Sequence, residues 1–212
     1  DAATLDISGN ADIDGTLETD NLTVGGSQGS DGQVLTSTGS GVAWEDAAGG
    51  GAWTLLSYQA LGNVATCEFD YDDFSPGTYP TYLITFHNVI PASDGGYFYG
   101  YGSTTTSGTQ TWLTAYYHGS SDSNQMDLTG TGVGGAAGEA GLSGRMMIFD
   151  RYASTQPYVI SDLVYADGSN NIQTTRDEWQ LRFSGAIYGM KFQFHSGNIS
   201  QGAIGLWGAK SS

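Results

Sequence analysis

Three histidines, one cysteine and 22 carboxylates are the groups in this 212-residue chain that could do acid–base, nucleophilic or metal chemistry. Nucleophilic hydrolysis needs a Ser or Cys beside a His that an acid orients. His87, His118 and His195 sit in no such local context, and no G-x-S-x-G elbow is present. Cys67 has no base near it in sequence and reads as a small buried hydrophobe. A lone cysteine also forms no internal disulfide and no Cys-based zinc site. Paired carboxylates could cut glycans, with Glu68, Asp70, Asp72, Asp73, Glu139, Asp177 and Glu178 as candidates. Glu68-Phe69-Asp70-Tyr71-Asp72-Asp73 places four carboxylates in six residues with no neighbouring cation. Hard oxygens at that density suit Ca²⁺, with Asp70, Asp72 and Asp73 as ligands. No D-x-[DN]-x-[DN]-G loop accompanies them, and an acidic turn in water is the alternative.

Aromatic residues offer a different chemistry. In an extended chain Tyr97, Tyr99 and Tyr101 share one face, opposite Phe98 and Gly100. Trp112, Thr114, Tyr116 and His118 share another, opposite Leu113, Ala115 and Tyr117. Rings with a polar handle present flat apolar surface to the C–H faces of sugars, while their hydroxyls and nearby amides bond sugar hydroxyls. Tyr97, Tyr99, Tyr101, Trp112, Tyr116 and His118 are therefore the candidate ligand residues, for a carbohydrate. The alternative use of the same rings is to fill a core or a subunit interface.

Charge narrows the partners. The chain carries a net charge of −16, and no Lys or Arg occurs before Arg145, while 17 acids do. Such a surface repels phosphate backbones, which excludes ordinary nucleic-acid binding and disfavours anionic membranes. No apolar run approaches the ~18 residues that cross a bilayer, Met146-Met147-Ile148-Phe149 being among the longest, so membrane insertion is not expected. No secretory signal opens the chain, and Asp rather than Met at position 1 reads as a piece of a longer protein.

The elements that must position these residues are strands. Glycine reaches 33 residues, roughly double the usual ~7%, and 25 of the 26 aromatic residues lie after residue 50. The division falls at Ala48-Gly49-Gly50-Gly51, which predicts a region 1–48, a Gly-rich joint 49–52 and a domain 53–212. The first region has too few apolar residues for a core. Its Ile7-Ser8-Gly9 and Ile13-Asp14-Gly15 phrases, six residues apart, suit short winding strands with glycine at the turns. Identical chains around a threefold axis would cover its apolar stripe, and a disordered linker is the alternative. The second region predicts about ten strands separated by Gly, Asn, Asp and Ser turns, at 53–59, 64–69, 81–89, 96–101, 111–117, 145–149, 158–166, 178–183, 190–194 and 203–209. Gly119–Gly144, with eight glycines, reads as one long loop.

Gly32-Gln33-Val34-Leu35-Thr36-Ser37-Thr38-Gly39-Ser40-Gly41-Val42-Ala43-Trp44 resembles a connector that recurs in bacteriophage tail fibres just before a distal domain. The opening Trp53-Thr54-Leu55-Leu56-Ser57 and the close, Ser196-Gly197-Asn198-Ile199 through Leu206-Trp207-Gly208-Ala209-Lys210, are similar to the ends of such fibre tips, with Trp207 where Tyr is common. Residues 92–180 carry no such likeness. The resemblance implies an all-β homotrimer, a short intertwined β shaft bearing an antiparallel, jelly-roll-like β-sandwich knob. It also implies a virion location on the tail fibre, exposed to the medium, with other tail proteins joined through an upstream part of the chain. The function expected is host adsorption by non-enzymatic binding of a cell-surface glycan, without a cofactor unless Ca²⁺ binds. The alternative is a structural or fibre-joining domain with protein–protein contacts only.

Overall fold

The computed structural model describes residues 8–10, 12–46, 53–118, 121–149, 156–183 and 185–210. The chain divides into two compact units, Asp1–Gly50 and Gly51–Ser212. The Gly-rich joint 49–52 and Ile7 lie outside the described residues.

In the first unit, strands β1 (Gln33–Ser37) and β2 (Val42–Asp46) form an antiparallel hairpin. Its turn closes with Thr38 N–H donating to Gly41 O at 2.9 Å, and Gly39 takes a φ of 82° that few other residues tolerate. Trp44 lies over Gly29, where a Cβ would meet the indole at 2.8 Å, and its Nε1–H donates to Ser27 O at 3.0 Å. Residues 12–23 form no strand within the single chain; the short winding strands expected here are ones that identical copies complete. Ile13, Leu17, Leu22, Val34, Leu35 and Val42 stay exposed, because so small a hairpin has no second layer to cover them.

The second unit is all-β and antiparallel. Its strands are β3 (Thr54–Leu61), β4 (Cys67–Phe69), β5 (Thr81–Pro91), β6 (Phe98–Ser103), β7 (Tyr116–His118), β8 (Ser121–Ser123), β9 (Met126–Asp127), β10 (Leu142–Phe149), β11 (Tyr158–Ala166), β12 (Ile172–Leu181), β13 (Gly189–Phe194) and β14 (Ile199–Ala209). They make an eight-stranded sheet, β3-β14-β5-β10-β11-β12-β7-β8, and a four-stranded one, β4-β13-β6-β9. Alternation explains why the two face each other. Tyr82, Ile84 and Phe86 of β5 and Met146 and Ile148 of β10 are buried, as are Met190, Phe192 and Phe194 of β13. Phe86, from the large sheet, meets Phe98 and Phe192, from the small sheet, edge-on at 5.7 and 5.1 Å. Phe98 and Phe192 stack on one another at 5.9 Å, so the seam between the layers is aromatic.

The Gly-rich stretch expected as a loop instead supplies an edge strand to each sheet, β8 and β9, and the start of β10. Met126, Leu128, Val133 and Leu142 from it are fully buried. Its glycines serve close backbone approach. A Cβ at Gly132 would strike the Gly95 carbonyl, and one at Gly141 would come within 2.7 Å of the Val89 carbonyl oxygen. At Gly144 the pairing of β10 with β5 shifts register, φ is 146°, and a Cβ would overlap the Asp162 carbonyl oxygen of β11. Gly144→Ala is therefore expected to cost about 2–4 kcal/mol in urea denaturation, from backbone strain and a clash that cannot relax along a side chain. A change below about 0.5 kcal/mol would contradict this account of the bulge.

Candidate functional site

The inward run of β13 dictates what its other face presents. With Met190, Phe192 and Phe194 in the core, Lys191 and Gln193 point outward. The same pleat on β6 turns Phe98, Gly100 and Gly102 inward and Tyr99 and Tyr101 outward. Register then assembles a surface from four strands. Lys191 pairs with Tyr101 on one side and Glu68 on the other, while Tyr99 pairs with Gln193 and Asp127. Tyr97, just before β6, is 40% exposed. The His195 ring beyond β13 meets Tyr99 edge-on at 6.2 Å, and its backbone N–H donates to Tyr97 O at 2.8 Å.

The chain leaving β6 folds back alongside it. Leu113 N–H donates to Gly102 O at 2.9 Å and Trp112 bridges Ser103, so the segment expected as a strand at 111–117 begins regular pairing only at Tyr116. Lys191 Nζ then lies 4.5 Å from the centre of the Tyr101 ring and 5.3 Å from that of Trp112, one ammonium shared by two aromatic faces. Partial burial lowers the Lys191 pKa from its ordinary value, and Glu68 opposes that shift. Burial also raises the Tyr99 and Tyr101 hydroxyls, with the Asp127 charge adding to the shift of Tyr99. Both phenols stay protonated at neutral pH and can donate as well as accept. The result is an outward face of three phenols and an indole, rimmed by an ammonium, two carboxylates, an amide and an imidazole. It suits a ligand that has apolar faces and hydroxyl edges.

Four of the six expected ligand residues, Tyr97, Tyr99, Tyr101 and Trp112, thus belong to this face. Tyr116 does not. It is fully buried, its hydroxyl accepting from Gly102 N–H at 2.8 Å and donating to Leu113 O at 2.9 Å, and desolvation drives its pKa well above the ordinary value. It is a core residue, because the chain turns back between Trp112 and Tyr116 and ends their shared alternation. His118 lies beside the face rather than on it. Its ring stacks on Trp179 at 4.4 Å and its Nε2 stands 3.4 Å from Asp177 Oδ1. Asp127 links the two, since its carboxyl senses the charges of Asp177 and His118 and borders Tyr99. Asp127, Gln193, His195 and Gln125, whose Oε1 accepts from the Tyr101 hydroxyl at 3.5 Å, went unnamed as site residues in the sequence. The alternation of β13 placed Gln193 outward, but no sequence pattern gives the register that sets it beside Tyr99.

The acidic turn does not converge on a cation. Asp73 Oδ2 accepts from Asp70 N–H and Asp70 Oδ1 from Asp72 N–H, both at 3.0 Å, so two carboxylates are spent on the turn's own backbone. Among the described residues no three His, Cys, Asp or Glu side chains are placed to hold a metal ion. Cys67 is fully buried, and desolvation with the nearby Asp73 and Glu68 charges pushes its thiol up to about 12, which leaves it unreactive. Addition of Ca²⁺ or of a chelator is accordingly expected to leave the melting temperature unmoved in calorimetry, and a rise with Ca²⁺ reversed by chelator would restore Asp70, Asp72 and Asp73 as ligands.

Burial holds the Asp127 carboxyl above its ordinary value of 3.8, partly offset by the Thr129 N–H that it accepts. As pH rises through 3.8 the unfolded chain ionises first, so stability falls until the raised folded value is passed. Asp127→Asn should match the parent near about pH 3 and exceed it at about pH 7 in urea midpoint, and equal midpoints at both would exclude this effect. No family model, curated protein or solved structure matches this chain.

Proposed function

We propose that the chain is the distal end of a bacteriophage tail fibre, and that the outer face of the four-stranded sheet binds a host-surface glycan without cleaving it. The observation that carries this reading is the juxtaposition of Tyr97, Tyr99, Tyr101 and Trp112 on one outward face with Lys191, Gln193 and Asp127 between and around them. Sugar C–H faces stack on such rings and sugar hydroxyls bond such rims. The likeness of the Gly32–Trp44 connector and of the closing Ser196–Lys210 phrase to fibre tips supplies the biological setting, a virion part exposed to the medium. In that setting the antiparallel sandwich is a jelly-roll-like knob. The first unit, whose apolar side chains stay exposed in one chain, is a shaft end that winds with two identical copies. Other tail proteins join it upstream. Three copies per fibre make weak individual sites sufficient through avidity.

The test is titration of soluble bacterial surface glycans into the full chain by calorimetry. Saturable binding is expected, and Tyr99→Ala or Trp112→Ala should each weaken it about tenfold with the melting temperature little changed. Absence of saturable binding to every glycan tried would remove this reading and favour a structural, fibre-joining domain.

A further inference from the structure

The outer face of the eight-stranded sheet has the opposite character to the ligand face. Register lines up one row across it, Leu55, Trp207, Leu83, Met147, Ile160 and Glu178, on six successive strands. Five of the six are apolar. Leu55 is 48% exposed and Ile160 36%, while Leu83, Met147 and Trp207 are half-buried. The next row along adds Phe149 and Tyr158, which pair directly, and Tyr158 is 57% exposed. A skipped residue, Leu56, in the pairing of β3 with β14 keeps both Leu55 and Tyr58 on this side. In β10 the consequence is the run Met146-Met147-Ile148-Phe149, apolar on both faces, whereas a strand with one face in water alternates apolar with polar. Both faces of β10 therefore read as covered, one by the four-stranded sheet and one by something else.

Charge selects the cover. On the other side of the apolar row lies Tyr58, Gly205, Thr85, Arg145, Asp162 and Arg176. Arg145 and Arg176 both reach Asp162, at 3.4 and 3.3 Å, and remain largely exposed. Two of the six cations in a chain of net charge −16 thus flank the strip, with Asp162 and Glu178 beside them. An acidic partner gains from these arginines, and an identical copy also offers Arg145 and Arg176 to the acids of this face. A groove of about 490 Å³ lies at the Gly144 bulge, and an apolar strip running across five strands suits a protein surface better than a small ligand.

We propose that the outer face of the eight-stranded sheet is the surface on which a second copy of this chain docks. The proposal shares with the reading above only that copies associate, and it is independent of glycan binding. It adds a contact within the second unit to the winding of the first. Its test combines light scattering on the full chain across nanomolar to micromolar concentration with oxidative footprinting of Met147. In the parent protein, assembly at micromolar concentration should coincide with slowed Met147 sulfoxide formation, and dilution should restore the rate. Ile160→Glu should raise the concentration of half-dissociation at least about tenfold. Tyr158→Arg serves the same purpose should Ile160→Glu fail to fold, and the footprint of the unmodified chain needs no variant.

A chain that is monomeric throughout overturns the proposal. So does an assembly that survives both variants while Met147 oxidises at a rate independent of concentration, since copies would then be held by the first unit alone. Protection of Met147 by phosphatidylcholine vesicles without self-association would overturn it in favour of a lipid surface. Glycan titration of Ile160→Glu separates the two readings, because loss of assembly with the per-chain affinity retained leaves the ligand face standing.

Discussion

The structure depends on one seam, the meeting of Phe86 from the large sheet with Phe98 and Phe192 from the small one. Once those three rings are inside, the period of two along β6 and β13 leaves no freedom for their neighbours. Tyr99, Tyr101, Lys191 and Gln193 must face out, and antiparallel pairing must set them side by side. A slip of one residue would bury an ammonium and two phenols while exposing four large apolar side chains, so the register is held by the core's own energetics. The outward aromatic face is in that sense the reverse side of the hydrophobic seam. It needs no dedicated scaffold, because the outward positions of a well-buried sheet are already fixed in spacing and direction.

Gly102 shows how core and face are tied together. Its missing side chain lets β6 approach the large sheet, since a Cβ there would come within 2.8 Å of Leu181 Cδ2. Its N–H donates to the buried Tyr116 hydroxyl, and its carbonyl accepts from Leu113. Tyr116 in turn donates to Leu113 O. The segment from Leu113 to Tyr116 is thus pinned at both ends against one glycine, and Trp112, the residue before it, is held over Lys191. A side chain in the core therefore sets the place of an indole on the surface, without touching any ligand itself.

Much of the sandwich was legible in the sequence because alternation is a local signal. Met190, Phe192 and Phe194 against Lys191 and Gln193 predict a strand and both its faces, and burial agrees residue by residue. The Gly119–Gly144 stretch was not legible for a physical reason. A glycine chosen for close backbone approach looks the same in sequence as one chosen for flexibility, and only the carbonyls of Gly95 and Val89 distinguish them. Tyr116 was assigned to the wrong side because alternation was carried through Leu113–Ala115, where the backbone pairs with Gly102 and turns. The carboxylates of Asp70 and Asp73 advertised a cation in sequence and instead cap their own turn. Pairing register, which sets Asp127 beside Tyr99 and Glu68 beside Lys191, has no sequence signature at all.

The two outer faces of one sandwich differ in what kind of contact they can sustain. Tyrosine and tryptophan with polar rims lose little when wet, because each ring keeps a hydrogen-bonding handle in water. A face built of them can be covered and uncovered repeatedly at small cost, which is what a weak, reversible site requires. Leucine, isoleucine and methionine have no such handle, and each exposed methylene forgoes about 0.8 kcal/mol of burial. The strip from Leu55 to Ile160 is correspondingly suited to cover that stays in place. Strands β10 and β13 sit near the middle of the two sheets and follow the same inward rule, yet the outward residues are Arg145, Met147 and Phe149 in one and Lys191 and Gln193 in the other. The inward positions make the fold, while the outward ones set what each face can contact, through apolar side chains in the one and polar handles in the other.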